Sequence, residues 1–118
     1  MRPVLALAAM VLAMPALAQE RAPSERQSLV DLARTLGENH ALRQACGGAE
    51  DQHWRARMRE LMDQEAADRR LETRLSIAFN DGYHSGQALF PKCTEAARTE
   101  ARRIAGQGRA LSLKLAGP

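Results

Sequence analysis

Aromatic side chains are scarce in this chain of 118 residues, which holds one Trp, one Tyr and two Phe. An aromatic core and an aromatic recognition patch would therefore have to share the same four residues, Trp54, Phe79, Tyr83 and Phe90. Cysteine is just as scarce, with Cys46 and Cys93 alone and no Cys-x-x-Cys pair. That spacing excludes a thioredoxin-type motif, and with it the Cys-x-x-Cys-His attachment of a c-type haem. No apolar run is long enough to span a bilayer. The longest, Val4 to Met14, has about 11 residues, or ~16 Å as a helix at 1.5 Å per residue, against a hydrocarbon core of about 30 Å. The chain has no strand-like alternation, no internal repeat, no nucleophile elbow, no Ser-His-Asp pattern and no phosphate-binding glycine loop. These absences leave no recognisable catalytic constellation, and no catalytic residues are assigned.

What is present begins with an export signal. Arg2 supplies a positive start, Val4 to Met14 the apolar stretch, and Ala16-Leu17-Ala18 the small-x-small pattern before Gln19. Cleavage after Ala18 makes residues 1–18 a signal peptide and leaves about 100 residues, one small domain. No cysteine stands directly after the cleavage site, where Gln19 lies, which argues against a lipoprotein. The compartment expected is the periplasm, where an even cysteine count points to a bridge. Joining Cys46 to Cys93 would stabilise by about 4 kcal/mol in the chain-entropy model, large for so small a domain. Without Arg2 the chain keeps 16 basic against 14 acidic residues, and this weak excess gives no reason to expect a nucleic-acid partner.

Periodicity predicts an all-α fold, a small bundle of three or four helices in one domain over 24–116, after a flexible leader at 19–23. Ser24 is the expected N-cap of the first helix, with Gln27 at the capping-box position. Leu29, Leu32, Ala33, Leu36 and His40 share one face, and Gly47-Gly48 closes the helix just after Cys46. A second helical region runs from about Asp51 to Phe79. Its first stripe (Trp54, Met58, Leu61, Met62) is turned by roughly 100° from its second (Leu71, Leu75, Ala78, Phe79). A kink or break near 63–68, with Asp68 as a cap, would aim both stripes at one core; a continuous helix facing two neighbours is the alternative. Asn80-Asp81-Gly82 reads as a stop and Tyr83 to Lys92 as a loop. Thr94 then caps a third helix reaching about Leu115, its inward face Ala97, Ala101, Ile104, Ala105, Gly108, Leu111 and Leu115. The bridge would join the end of the first helix to the start of this one, holding the Gly82-to-Lys92 loop in place.

Several groups could meet a ligand. His40, His53 and His84, with Glu38, Glu50 and Asp51, are the donors a zinc or copper site would need. None has the i, i+4 spacing of a helical metal pair, and His40 lies on the apolar stripe, so no metal or other cofactor is assigned. Glu50 and Asp51 read as helix N-terminal carboxylates. Met58 and Met62 near Trp54 suggest a core face before a soft-metal or chaperone surface. Tyr83 and Phe90 would form a recognition patch if exposed. The third helix carries Arg98, Arg102, Arg103, Arg109 and Lys114 against Glu95 and Glu100, a basic face able to dock an acidic partner. The candidate partner surface is Tyr83, Phe90, Arg98, Arg102 and Arg109.

The ordered set Leu36-Gly37-Glu38-Asn39-His40-Ala41-Leu42-Arg43, Cys46, Asp51 to Met58, Arg69-Arg70, Leu75, Ala78 to Tyr83 and Cys93-Thr94 resembles a family of small exported alphaproteobacterial proteins, catalogued as a domain of unknown function. The resemblance covers about Leu29 to Leu115, and it implies location and fold without a reaction. This chain departs from it between Tyr83 and Cys93, where more aromatic or basic character is expected. The function expected is a binding or adaptor module of the cell envelope, its partner an envelope protein or cell-wall component, with no membrane span in the mature chain. A metal-binding or chaperone-like helical protein is the alternative.

Overall fold

A computed structural model describes residues 21–117, and the segment expected to be a signal peptide lies outside them. Four helices follow one another: α1 (Pro23–Gly47), α2 (His53–Gln64), α3 (Arg69–Leu89) and α4 (Glu95–Ala116). No strand occurs among the described residues.

The second helical region is broken where its two apolar stripes diverge. Ala66 takes φ 46°, a left-handed conformation that stops a helix of L-residues. Asp68 restarts it, its carboxylate accepting from the Leu71 amide at 2.8 Å. The break lets Met58 from α2 and Leu71, Leu75 and Phe79 from α3 enter the same core as Leu29, Leu32, Ala33 and Leu36 of α1. Thr94 caps α4 as its position predicts, accepting from the Ala97 amide at 3.1 Å.

Three expectations are corrected. The first helix begins at Pro23, not after Ser24. Proline suits the first turn because its missing N–H would have no partner there, and the Glu25 side chain accepts from the Ala22 amide at 3.3 Å. Asn80-Asp81-Gly82 does not stop a helix, since α3 runs through it to Leu89. The expected loop from Tyr83 to Lys92 thus shrinks to a link at 90–94, and the bridge holds that link rather than a long loop. On α4, Ala105 is exposed and Ala101 is half-buried, while Ala97, Ile104, Gly108 and Leu115 are buried.

Gly82 explains the second correction. A Cβ built on it would sit 2.1 Å from the Arg34 carbonyl oxygen, and one on Gly37 would sit 2.0 Å from that of Phe79. Each glycine lies against the other helix's backbone, so α1 and α3 approach along Ala33, Gly37, Ala41 and Ala78, Gly82, Gly86. The missing side chains serve packing between helices, which outweighs glycine's poor helix propensity of about 1 kcal/mol relative to alanine.

Polar contacts fix the directions. Arg26 meets Asp68 at 3.1 Å near the starts of α1 and α3, and Tyr83 meets Gln44 at 2.8 Å near their ends, so these helices run parallel. α2 runs back antiparallel to α1, and Arg21 just ahead of α1 pairs with Glu65 just beyond α2 at 2.7 Å. α4 is antiparallel to α1, joined to its end by the Cys46–Cys93 disulfide (S–S 2.06 Å) and to its start by an Arg21 bond to the Leu115 carbonyl at 2.8 Å. Among the described helices, the backbone of α4 comes close to α1 alone.

Candidate functional site

Because α2 and α4 both lie against α1 but not against each other, a groove opens between them. Leu32, Thr35, Leu36 and Asn39 of α1 form its floor, Trp54 of α2 one wall, and α4 from Arg102 to Ser112 the other. It encloses about 550 Å³ and continues past Trp54 into a hollow of about 260 Å³ beside Arg57, Glu60 and Leu61. Volumes of roughly 300–1,000 Å³ with mostly apolar walls are typical of ligand sites.

The polar groups of the groove are few. Thr35 spends its hydroxyl on the Asp31 carbonyl at 2.8 Å, as buried helical threonines do. Asn39 is only 4 % exposed and makes no side-chain hydrogen bond among the described residues, although it lines the cavity. Arg102 and Arg109 stand on the α4 side. Arg102 reaches only the Thr99 hydroxyl at 3.3 Å, and neither arginine has a carboxylate partner among the described residues. Their neighbour Arg103 is engaged by Glu100, which lowers the carboxyl's pKa through the hydrogen bond and raises that of the guanidinium. Arg98 turns toward the disulfide, donating to the Cys93 sulfur at 3.4 Å.

The five residues expected to form a partner surface are therefore divided. Arg102 and Arg109 line the groove, and Arg98 lies on the same face of α4 beside the exposed disulfide. Tyr83 and Phe90 do not join them. Tyr83 is half-buried on α3, its hydroxyl donating to Gln44 and accepting from Gln87 at 2.9 Å. Phe90 packs on a small second core of Leu42, Ala97 and Ile104. The floor residues Asn39 and Leu36 belong to the motif that carried the family resemblance, but sequence spacing gave no sign that they would face Trp54 and α4.

The histidines are dispersed. His40 is 1 % exposed, 5.6 Å from Phe79 and 5.1 Å from Tyr83 between ring centroids, and neither of its nitrogens has a hydrogen-bond partner among the described residues. Burial holds its pKa below the usual 6.5, with Arg55 pushing the same way and Asp51 opposing. His53 stands edge-on to Trp54 at the start of α2, and His84 edge-on to Tyr83. Among the described residues, no group of three His, Cys, Asp or Glu side chains gathers as a metal site requires. Asp51 works locally instead. It accepts from the His53 amide at 3.1 Å and from Arg43 at 2.6 Å, and these bonds lower its pKa. Met58 is buried in the core at 3 % exposure, and Met62 packs against that core.

The family model described as "Protein of unknown function (DUF2385)" matches residues 23–117, the full helical region. The chain belongs to the DUF2385 family. No curated protein and no solved structure matches it. The groove, the disulfide and the α1–α3 seam of this DUF2385 chain all fall within the matched residues.

Proposed function

We propose that this protein is an exported, non-catalytic binding module of the alphaproteobacterial cell envelope, and that the groove between α2 and α4 holds its partner. The observation that carries this reading is the pairing of an apolar floor with Arg102 and Arg109, two cations without carboxylate partners among the described residues. Export is supported by the signal pattern ahead of Gln19 and by the disulfide, since bridges persist in oxidising compartments. No helix of the described residues is long and apolar enough to cross a membrane, which suits a module that meets its partner in the periplasm.

A photoreactive residue in place of Ser112, on the groove wall, tests the reading in cells. Irradiation should join the protein to a specific envelope component, and the Arg102→Glu/Arg109→Glu double variant should lose that product. Recovery of nothing above background from Ser112, with an outward position such as Thr73 or Arg59 performing equally, would sink the proposal.

A further inference from the structure

Resting on that reading, the chemistry lining the groove identifies what it would hold. We propose that the groove receives an extended, apolar peptide segment bearing two carboxylates, supplied by a partner protein. Three observations converge on this ligand. The floor and walls offer Leu32, Leu36, Trp54 and Ile104 to apolar side chains. Arg102 and Arg109 lie seven residues apart on α4, about 10 Å at 1.5 Å per residue, and face the groove without carboxylate partners among the described residues. Carboxylates three residues apart in an extended polyproline-II chain, which has three residues per turn at about 3.1 Å each, lie on one face about 9 Å apart and would form charge-assisted bonds with both guanidiniums.

The third observation separates a peptide from a lipid. Asn39 is 4 % exposed, lines the cavity and has no side-chain hydrogen bond among the described residues. Its amide presents a donor and an acceptor together, the complement of a peptide group. An acyl chain laid across the same floor carries one carboxylate, which can pair with only one of the two arginines, and it would leave the Asn39 amide desolvated and unpaired, which disfavours that occupant. A helical partner would have its own backbone groups already bonded, so the extended form is the one Asn39 reads.

The chain's single tryptophan stands at the site, so occupancy can be followed by Trp54 emission in the full mature protein with its disulfide intact. The probes are a blocked six-residue peptide of leucine and alanine with aspartates three apart, the same peptide with asparagines, and dodecanoate. The acidic peptide should shift the emission saturably and bind at least about tenfold more tightly than the asparagine peptide. Arg102→Gln/Arg109→Gln, both on an exposed helix face, should remove that preference without unfolding the protein. Asn39→Leu should weaken the peptide while dodecanoate binds as before or more tightly. Equal binding of the two peptides, tighter binding of dodecanoate, or no binding of either peptide would overturn the inference. A Ser112 crosslink to an envelope component that survives such a result keeps the binding-module reading and rejects only this ligand.

Discussion

Toward α3, α1 presents Ala33, Gly37 and Ala41, and the two backbones lie so close that neither Gly37 nor Gly82 has room for a Cβ. Toward α4 it presents side chains instead: Leu42 against Ala97 and Ile104, and Thr35 against Gly108, with a disulfide closing one end. The first contact brings backbone against backbone at Gly37 and Gly82, whereas the second borders a groove of about 550 Å³. A chain of this size cannot seal both sides of its central helix with so few large side chains. It concentrates close packing on the α3 side and relies on a covalent link on the α4 side, where an opening is kept.

The contrast can be broken most severely at the seam. Gly37→Ala or Gly82→Ala should each cost about 3 kcal/mol, the upper end of the overpacking range, because the added methyl meets backbone that cannot rotate away. Together they should leave no cooperative thermal transition by circular dichroism. Both variants melting like the parent would mean that the seam is looser than described.

Cys46→Ser should lower stability by about 4 kcal/mol in the chain-entropy model, read from denaturant unfolding. Its effect should be local before it is global. Hydrogen exchange should speed first in α4, which lies against α1 alone among the described helices, while the α1–α3 seam stays protected. Uniform loss of protection would show that α4 is integral to the core.

A smaller effect depends on pH. His40 is held neutral by burial, so its folded pKa lies below the usual 6.5 and the unfolded chain binds the proton more readily. The resulting stability is fully present above pH ~6.5 and is lost as pH falls from there through the folded pKa. His40→Phe should flatten this slope while leaving the acid limb below pH ~4, where Asp51 and Asp68 lose the bonds that lower their pKa values. An unchanged slope would place the proton uptake elsewhere.

The smallest effect has the opposite sign. Gly106 sits inside α4, and a methyl added to it would meet nothing within 4 Å among the described residues, so Gly106→Ala should stabilise by about 0.5–1 kcal/mol, read from the same denaturant unfolding. The same chemical change would thus harm the seam and help the open side.

What could be read in advance follows the range of the interaction concerned. Asp68 and Thr94 act on amides three residues away, so their capping roles were legible from the chain alone. The apolar stripes likewise gave much of each buried face, though not Ala105 on α4, and pointed to a break between α2 and α3 while leaving a continuous helix open. Gly82 was misread because Asn-Asp-Gly is a turn signal locally, while its purpose lies in Arg34, 48 positions earlier. Arg102 and Arg109 were legible as one basic face. Their meeting with Asn39 and Trp54 was not, because three helices must assemble before that groove exists.

The disulfide has one more consequence, for the route by which the protein matures. Two cysteines allow a single intramolecular pairing, so there are no scrambled isomers for an isomerase to sort. Maturation needs an oxidant alone. The thiols meet when α4 docks antiparallel on α1, so the rate of bridge formation reports on that docking step, and a slow reshuffling phase should be missing from refolding of the reduced chain.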